Sequence, residues 1–227
     1  LEAEIGYALL DDIFLKHRKP DEAIAMEAYM KHKFSFYGIK APERRKLFTQ
    51  VWREIKPKKA DETYYKFLQL CWNSEYREMQ MSAMDAMDQL IKKMDKSWIP
   101  HLESFILEKS WWDSVDWLAV NGVGRMFDKY PEERDKYIYR WIESESIWLQ
   151  RTAILFQLKY KEKIDWNVMQ DFILKTSGTK EFFINKASGW ALREYSKTNP
   201  EAVLQFVNDH PDLSSLTKRE ALKHIVA

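Results

Sequence analysis

At 227 residues, with 45% hydrophobic and 31% charged residues and a formal net charge of +1, the chain has the balance of a folded soluble protein, enough for one well-buried domain or a small repeat array. Six glycines and seven prolines are few for this length, which argues for long helices with short connections and against a many-stranded sandwich. No apolar run approaches the ~20 residues of a membrane span, and the single cysteine, Cys71, excludes an internal disulfide and a cysteine metal cluster.

In chain order, LEAEIGYALLDDIF reads as an amphipathic helix with acidic residues throughout. It lacks the basic start and small-residue cleavage site of a signal peptide, so the expected location is cytoplasmic. PDEAIAMEAYMKHKF and PERRKLFTQVWREI read as the next helices. The second places Pro42 at a first helical position with Arg44 and Arg45 close behind, which is either a phosphate-binding helix start or a solvated basic surface.

From Glu75 onward the chain becomes rhythmic. EYREMQMSAMDAM, SWWDSVDWLAVNG, SIWLQRTAILFQL and EFFINKASGWALR begin at Glu75, Ser110, Ser146 and Glu181, in steps of 35, 36 and 35 residues. Between them lie second helical stretches such as PEERDKYIYRWI and IDWNVMQDFILK. Two helices per fixed period describe an all-α fold of HEAT-like two-helix repeats, stacked into a curved array with a concave basic cleft, residues 1–227 forming one domain. A non-repetitive helical bundle is the alternative, and the tetratricopeptide signature is absent.

Compared place by place, the four helices put Gln80, Val115, Arg151 and Lys186 at the sixth position. The seventh holds Met81, Asp116, Thr152 and Ala187, so Asp116 is a carboxylate where the other units carry an apolar or small residue. Ser110 and Asp113 approximate the S-x-x-D spacing of a capping box, which gives Asp113 a structural task. Asp116 lies beyond the first turn, where no cap needs an acid, and shares a face with Trp112 four residues earlier. Spacing alone leaves two readings of Asp116 open, a buried structural acid or a reactive one. Trp111 and Trp117 are expected to pack.

Between Arg151 and Lys197 nine Lys/Arg stand against five Asp/Glu. Lys186, Trp190, Arg193 and Lys197 fall at i, i+4, i+7 and i+11, a basic stripe carrying an indole, away from a core set of Ile184, Ala187, Ala191 and Tyr195. Ten Trp, eleven Tyr and twelve Phe leave aromatics to spare for such a surface. A solvated helix face is the bland reading of the same charges. Other motifs are lacking: Gly122–Gly124 has no preceding strand, the five histidines are scattered, and no P-loop or G-x-S-x-G occurs. No metal or cofactor is expected.

The residues SWWDSVD, WLQR-AILFQLKYK, KEFF, GW-LREY-KTNP and GI-PERR together resemble the AlkD family of bacterial DNA alkylation repair glycosylases, built from HEAT-like repeats. The likeness runs from about Met26 to Lys223. It departs at Ala41, where a capping Thr or Ser is expected before PERR, and in NGVGRMFDKY. It implies hydrolysis of the N-glycosidic bond of cationic alkylated purines, of the N3-methyladenine and N7-methylguanine type, in double-stranded DNA. It places the catalytic aspartate at Asp116, cleft tryptophans at Trp112 and Trp190, a cleft arginine at Arg151 and a cleft tyrosine at Tyr29. DNA contacts are then expected from Arg151, Tyr29, Arg44, Arg45, Lys186, Arg193 and Lys197, in a monomer without a membrane partner. A non-catalytic helical-repeat module that binds DNA or a protein is the rival expectation.

Overall fold

The structure, a computed structural model, describes residues 2–55 and 59–225. It is all-α, with no strand among the described residues beyond an isolated parallel bridge between Ser35 and Tyr76. The chain forms two compact units, Leu1–Ser97 and Trp98–Ala227.

The first unit holds α1 (Ala3–Lys16), α2 (Pro20–Tyr29), α3 (Ala41–Ile55), α4 (Glu62–Asn73) and α5 (Arg77–Leu90). Helix α4 shows why these segments fold as they do. Asp61 caps it by accepting the Tyr64 N–H at 3.1 Å, and Tyr64, Phe67, Leu68, Cys71 and Trp72 recur at helical spacing and are all buried. Helix α5 is buried on nearly every side and carries Glu78 inside the core. That carboxylate accepts three successive backbone N–H groups, from Tyr37 at 3.1 Å, Gly38 at 2.9 Å and Ile39 at 3.1 Å, and so fixes the segment leading into α3. Burial pushes the Glu78 carboxyl above its ordinary value, and the three N–H groups pull the other way. Gly38 sits at φ +87°, and a Cβ there would lie 2.1 Å from the Lys19 carbonyl oxygen, so only glycine fits.

The second unit comprises α6 (Ile99–Leu107), α7 (Trp112–Trp117), a π-helical turn (Leu118–Val123), α8 (Gly124–Lys129), α9 (Pro131–Ile142), α10 (Ile147–Leu155), α11 (Trp166–Lys175), α12 (Phe182–Tyr195), α13 (Pro200–Asp209) and α14 (Ser215–Ala221). Caps mark the starts of α10, α11, α13 and α14. Ser146, Asp165, Asn199 and Ser214 each accept the backbone N–H three residues on. Helices α5, α7, α10 and α12 begin at residues 77, 112, 147 and 182, a constant step of 35. The expected rhythm is real and slightly more regular than the cap residues implied.

Ser110 does not cap α7. Lys109, at φ +50°, ends the preceding turn, and the Ser110 hydroxyl donates back to the Ile106 carbonyl at 2.6 Å. The α7 N-cap is Trp111, which makes no side-chain cap bond, so the expected Ser110–Asp113 capping box is not formed. Asp113 remains an acid in the first turn, where the helix dipole favours it.

The stretch NGVGRMFDKY, which departs from the resemblance, falls on the π turn and α8. Gly124 is required by packing. A Cβ there would stand 2.2 Å from the Phe156 carbonyl oxygen and 2.8 Å from that of Ala119, so the chain just past α10 lies directly on the π turn.

Candidate active site

The second unit brings Asp116 of α7 and Arg151 of α10 together. Arg151 donates through Nε to Asp116 Oδ1 at 2.6 Å and through Nη2 to Oδ2 at 2.8 Å, a bidentate fork. Its Nη1 donates to the Phe183 carbonyl at the start of α12. Three consecutive repeats therefore meet at one guanidinium. The Arg151 side chain is 4% exposed and that of Asp116 is 17% exposed. Burial pushes the Asp116 carboxyl above its ordinary value, the bonds and charge of Arg151 draw it back, and Asp113 adds a smaller upward push.

An aromatic cluster stands beside Arg151. Trp111 meets Trp148 edge-on at 5.8 Å and Phe183 edge-on at 5.2 Å, Trp148 and Phe183 are 5.0 Å apart, and the Arg151 guanidinium lies 5.9 Å from the Phe183 ring centre. The expected packing role of Trp111 holds. Trp112 opens α7 one turn before Asp116 and is half-buried. Trp190 lies in α12, also half-buried.

The other expected site residues are placed as follows. Arg151 is 4% exposed, and three of its five N–H donors are engaged inside the protein, on Asp116 and the Phe183 carbonyl. Lys186 and Arg193 both reach Glu220 of α14, at 2.8 Å each. Lys197 falls outside the basic stripe, since α12 ends at Tyr195 and the i+11 spacing no longer defines a face; it pairs with Glu194 at 2.7 Å. The core set stands, with Ile184, Ala187 and Ala191 buried and Tyr195 stacked on Trp166 at 4.8 Å.

In the first unit, Arg44 is 4% exposed and donates to Asp85 at 2.7 Å and to Ser82 at 3.2 Å, so it belongs to the interior and not to an open helix start. Arg45 is 67% exposed, 3.7 Å from the same Asp85. Tyr29, at the end of α2, is 68% exposed.

Sequence reasoning did not single out Glu220, Lys223 or the Phe183 carbonyl. A signal existed for Glu220 and for the central fork. Asp116 and Arg151 are 35 residues apart, one repeat step, and Lys186 and Glu220 are nearly the same distance apart. Opposite charges one repeat apart face each other on neighbouring helices of a stack.

Among the described residues, no group of three His, Cys, Asp or Glu side chains could hold a metal ion, and no helix is long and apolar enough to cross a membrane. The family model described as DNA alkylation repair enzyme matches residues 11–225. Among solved structures, the chain is similar to a predicted DNA alkylation repair enzyme from Enterococcus faecalis. The two are 34% identical, the likeness covers 92% of this chain and 96% of that one, and the TM-score is 0.84. None of the curated proteins matches.

Proposed function

The chain belongs to the DNA alkylation repair enzyme family, and on that premise we propose that it is a DNA glycosylase releasing cationic alkylated purines from duplex DNA, with Asp116 as its catalytic carboxylate. The observation that carries the reading is a largely buried aspartate, its side chain 17% exposed, held by a bidentate arginine.

Ordinary glycoside hydrolysis uses two carboxylates, one to protonate the leaving group. A purine alkylated at N3 or N7 already carries positive charge. When its bond to C1′ breaks, the electron pair moves onto the ring and the base departs neutral, so no acid is needed. One carboxylate is sufficient. Asp116 stabilises the oxocarbenium charge that grows on the deoxyribose, and accepts a hydrogen bond from the water whose oxygen joins C1′. Arg151 is a positioning residue: it fixes both carboxylate oxygens and draws the acid's pKa down against the upward push of burial. Trp112 and Trp190 hold the cationic nucleotide through their ring faces, worth about 0.5–2 kcal/mol each.

The alternative, a binding module in which Asp116 is a structural acid, is favoured by the same ion pair, which engages both oxygens of the carboxylate. Release of 7-methylguanine from methylated duplex DNA separates the two, compared between wild type and Asp116→Asn with binding to an abasic-analogue duplex measured in parallel. A glycosylase loses release and keeps binding in the variant. Binding without release by wild type overturns the proposal.

A further inference from the structure

The cations of α12 and α14 are arranged around one buried acid, in a way the basic-stripe reading did not contain. Glu220 is 2% exposed, yet its Oε1 takes Lys186 at 2.8 Å and Lys223 at 2.7 Å, while its Oε2 takes Arg193 at 2.8 Å. The approach depends on Gly189. A Cβ at that position would lie 2.5 Å from the Glu220 Cβ and 2.9 Å from the Thr217 carbonyl oxygen, so α14 rests on the bare backbone of α12. Glu220 thereby reaches between Lys186 and Arg193, which stand three before and four after Gly189 on α12.

We propose that Lys186, Arg193 and Lys223, gathered on Glu220, form a single binding site for one backbone phosphate of duplex DNA. The proposal rests on the DNA reading above and adds Lys223 and Glu220 to it.

A single acid is satisfied by a single cation. Three cations on one carboxylate leave a surplus of two positive charges at one point, and like charges held this close repel each other unless a further anion joins them. Glu220 stays ionised, its carboxyl drawn down to about 2 by Lys186 and Lys223 despite its burial. The cations keep outward-facing capacity, with side chains 37%, 23% and 46% exposed for Lys186, Arg193 and Lys223. Each ammonium has donors beyond the one given to Glu220, as does the guanidinium. The buried acid thus acts as an inner anchor that holds the cations in place, and a phosphate closes the cluster from outside. Trp190 follows Gly189 directly and shares the face of α12 with Lys186 and Arg193, which places the phosphate beside an indole assigned to the lesion.

The test is the salt dependence of binding to an abasic-analogue duplex, by fluorescence anisotropy from about 50 to about 200 mM salt, for wild type, Lys186→Gln, Lys223→Gln and the double variant. Each phosphate contact contributes about 0.9 to the slope of log affinity against log salt. One shared phosphate predicts that the double variant loses about 0.9 of slope in all and that neither single variant loses more than this. Loss of about 1.8 in the double variant would mean two separate phosphates and overturn the single site. Unchanged slopes with a lowered melting temperature would make the cluster a packing device and overturn the site altogether. A second measurement needs no DNA: the melting temperature of wild type and Lys223→Gln in inorganic phosphate against chloride at matched ionic strength. Stabilisation by phosphate in wild type, lost in the variant, supports the anion site. If that holds while wild type fails to bind duplex, the nucleic-acid reading falls and the anion site stands.

Discussion

Replacing Arg151 with methionine keeps the bulk of the side chain and removes its charge. The structure states what is then left behind: a carboxylate 17% exposed that has lost two charge-assisted hydrogen bonds, and a Phe183 carbonyl that has lost one. Breaking a buried ion pair from one side costs about 3–5 kcal/mol. For a chain of this length each kcal/mol lowers the melting temperature by about 2–4 °C, so Arg151→Met should melt roughly 6–20 °C below wild type at neutral pH. The loss should depend on pH in a definite direction. Asp116 already has a folded-state pKa above its ordinary value, through burial first. Without the opposing guanidinium it rises further, so between the unfolded value and that higher one the native state binds more protons than the unfolded state. Stability therefore falls as pH rises through this window, and the penalty relative to wild type is largest at neutral pH and smallest near pH 4, about where an unperturbed Asp titrates. Thermal denaturation of both proteins at several pH values measures this directly. A penalty equal at both ends, or larger in acid, would refute the account of Asp116 as a buried charge held by Arg151. Asp116→Asn in the Arg151→Met background should recover part of the lost stability, because an amide tolerates burial that an unpaired carboxylate does not.

Two further outcomes follow from backbone packing. Gly124→Ala puts a Cβ 2.2 Å from the Phe156 carbonyl oxygen, so the chain past α10 must move off the π turn; the expected cost is about 1–3 kcal/mol, read as a lowered melting temperature, and a variant as stable as wild type would show the contact to be irrelevant. Glu78→Gln replaces one acceptor by a donor, leaving one side of the Tyr37–Ile39 amide set unmatched. If the amide oxygen keeps Gly38 and Ile39, hydrogen exchange should accelerate at Tyr37 and not at its neighbours, with about 1–3 kcal/mol lost in stability. Unchanged exchange at all three would refute the role given to this carboxylate.

The repeat was legible because each unit carries its own apolar periodicity and the units recur at one step. Asp116 was also legible as an acid out of keeping with the other units, although the comparison from the cap residues was one place out: counted from the helix starts, its equivalents are Met81, Arg151 and Lys186. Its partner was not. Arg151 stands at an equivalent place one repeat on, but which neighbouring places touch depends on how the helices are rotated in the stack, and apolar pattern does not fix that rotation. The same gap made Arg44 and Arg151 read as surface cations when both are interior, since an arginine paired inside and one facing solvent look alike in a string of residues. Lys197 leaves the stripe for a simpler reason: a stripe drawn at helical spacing means nothing past the last turn, and α12 stops two residues short of it.

The π turn at Leu118–Val123 has a consequence for how α7 is aimed. In an unbroken α-helix every side chain's heading is locked to every other by about 100° per residue. A turn that takes in an additional residue breaks that lock and lets the two halves of one rod be set independently. Below the turn, Met126 and Phe127 are buried, with Phe127 against Tyr137, Trp141 and Phe156. Above it, Asp116 meets Arg151. With a regular helix between them, one of these two headings would be rotated out of place, and the residues that hold the interior together would dictate where the acid points. The wide turn frees the acid from the core's geometry while keeping it on the same rod.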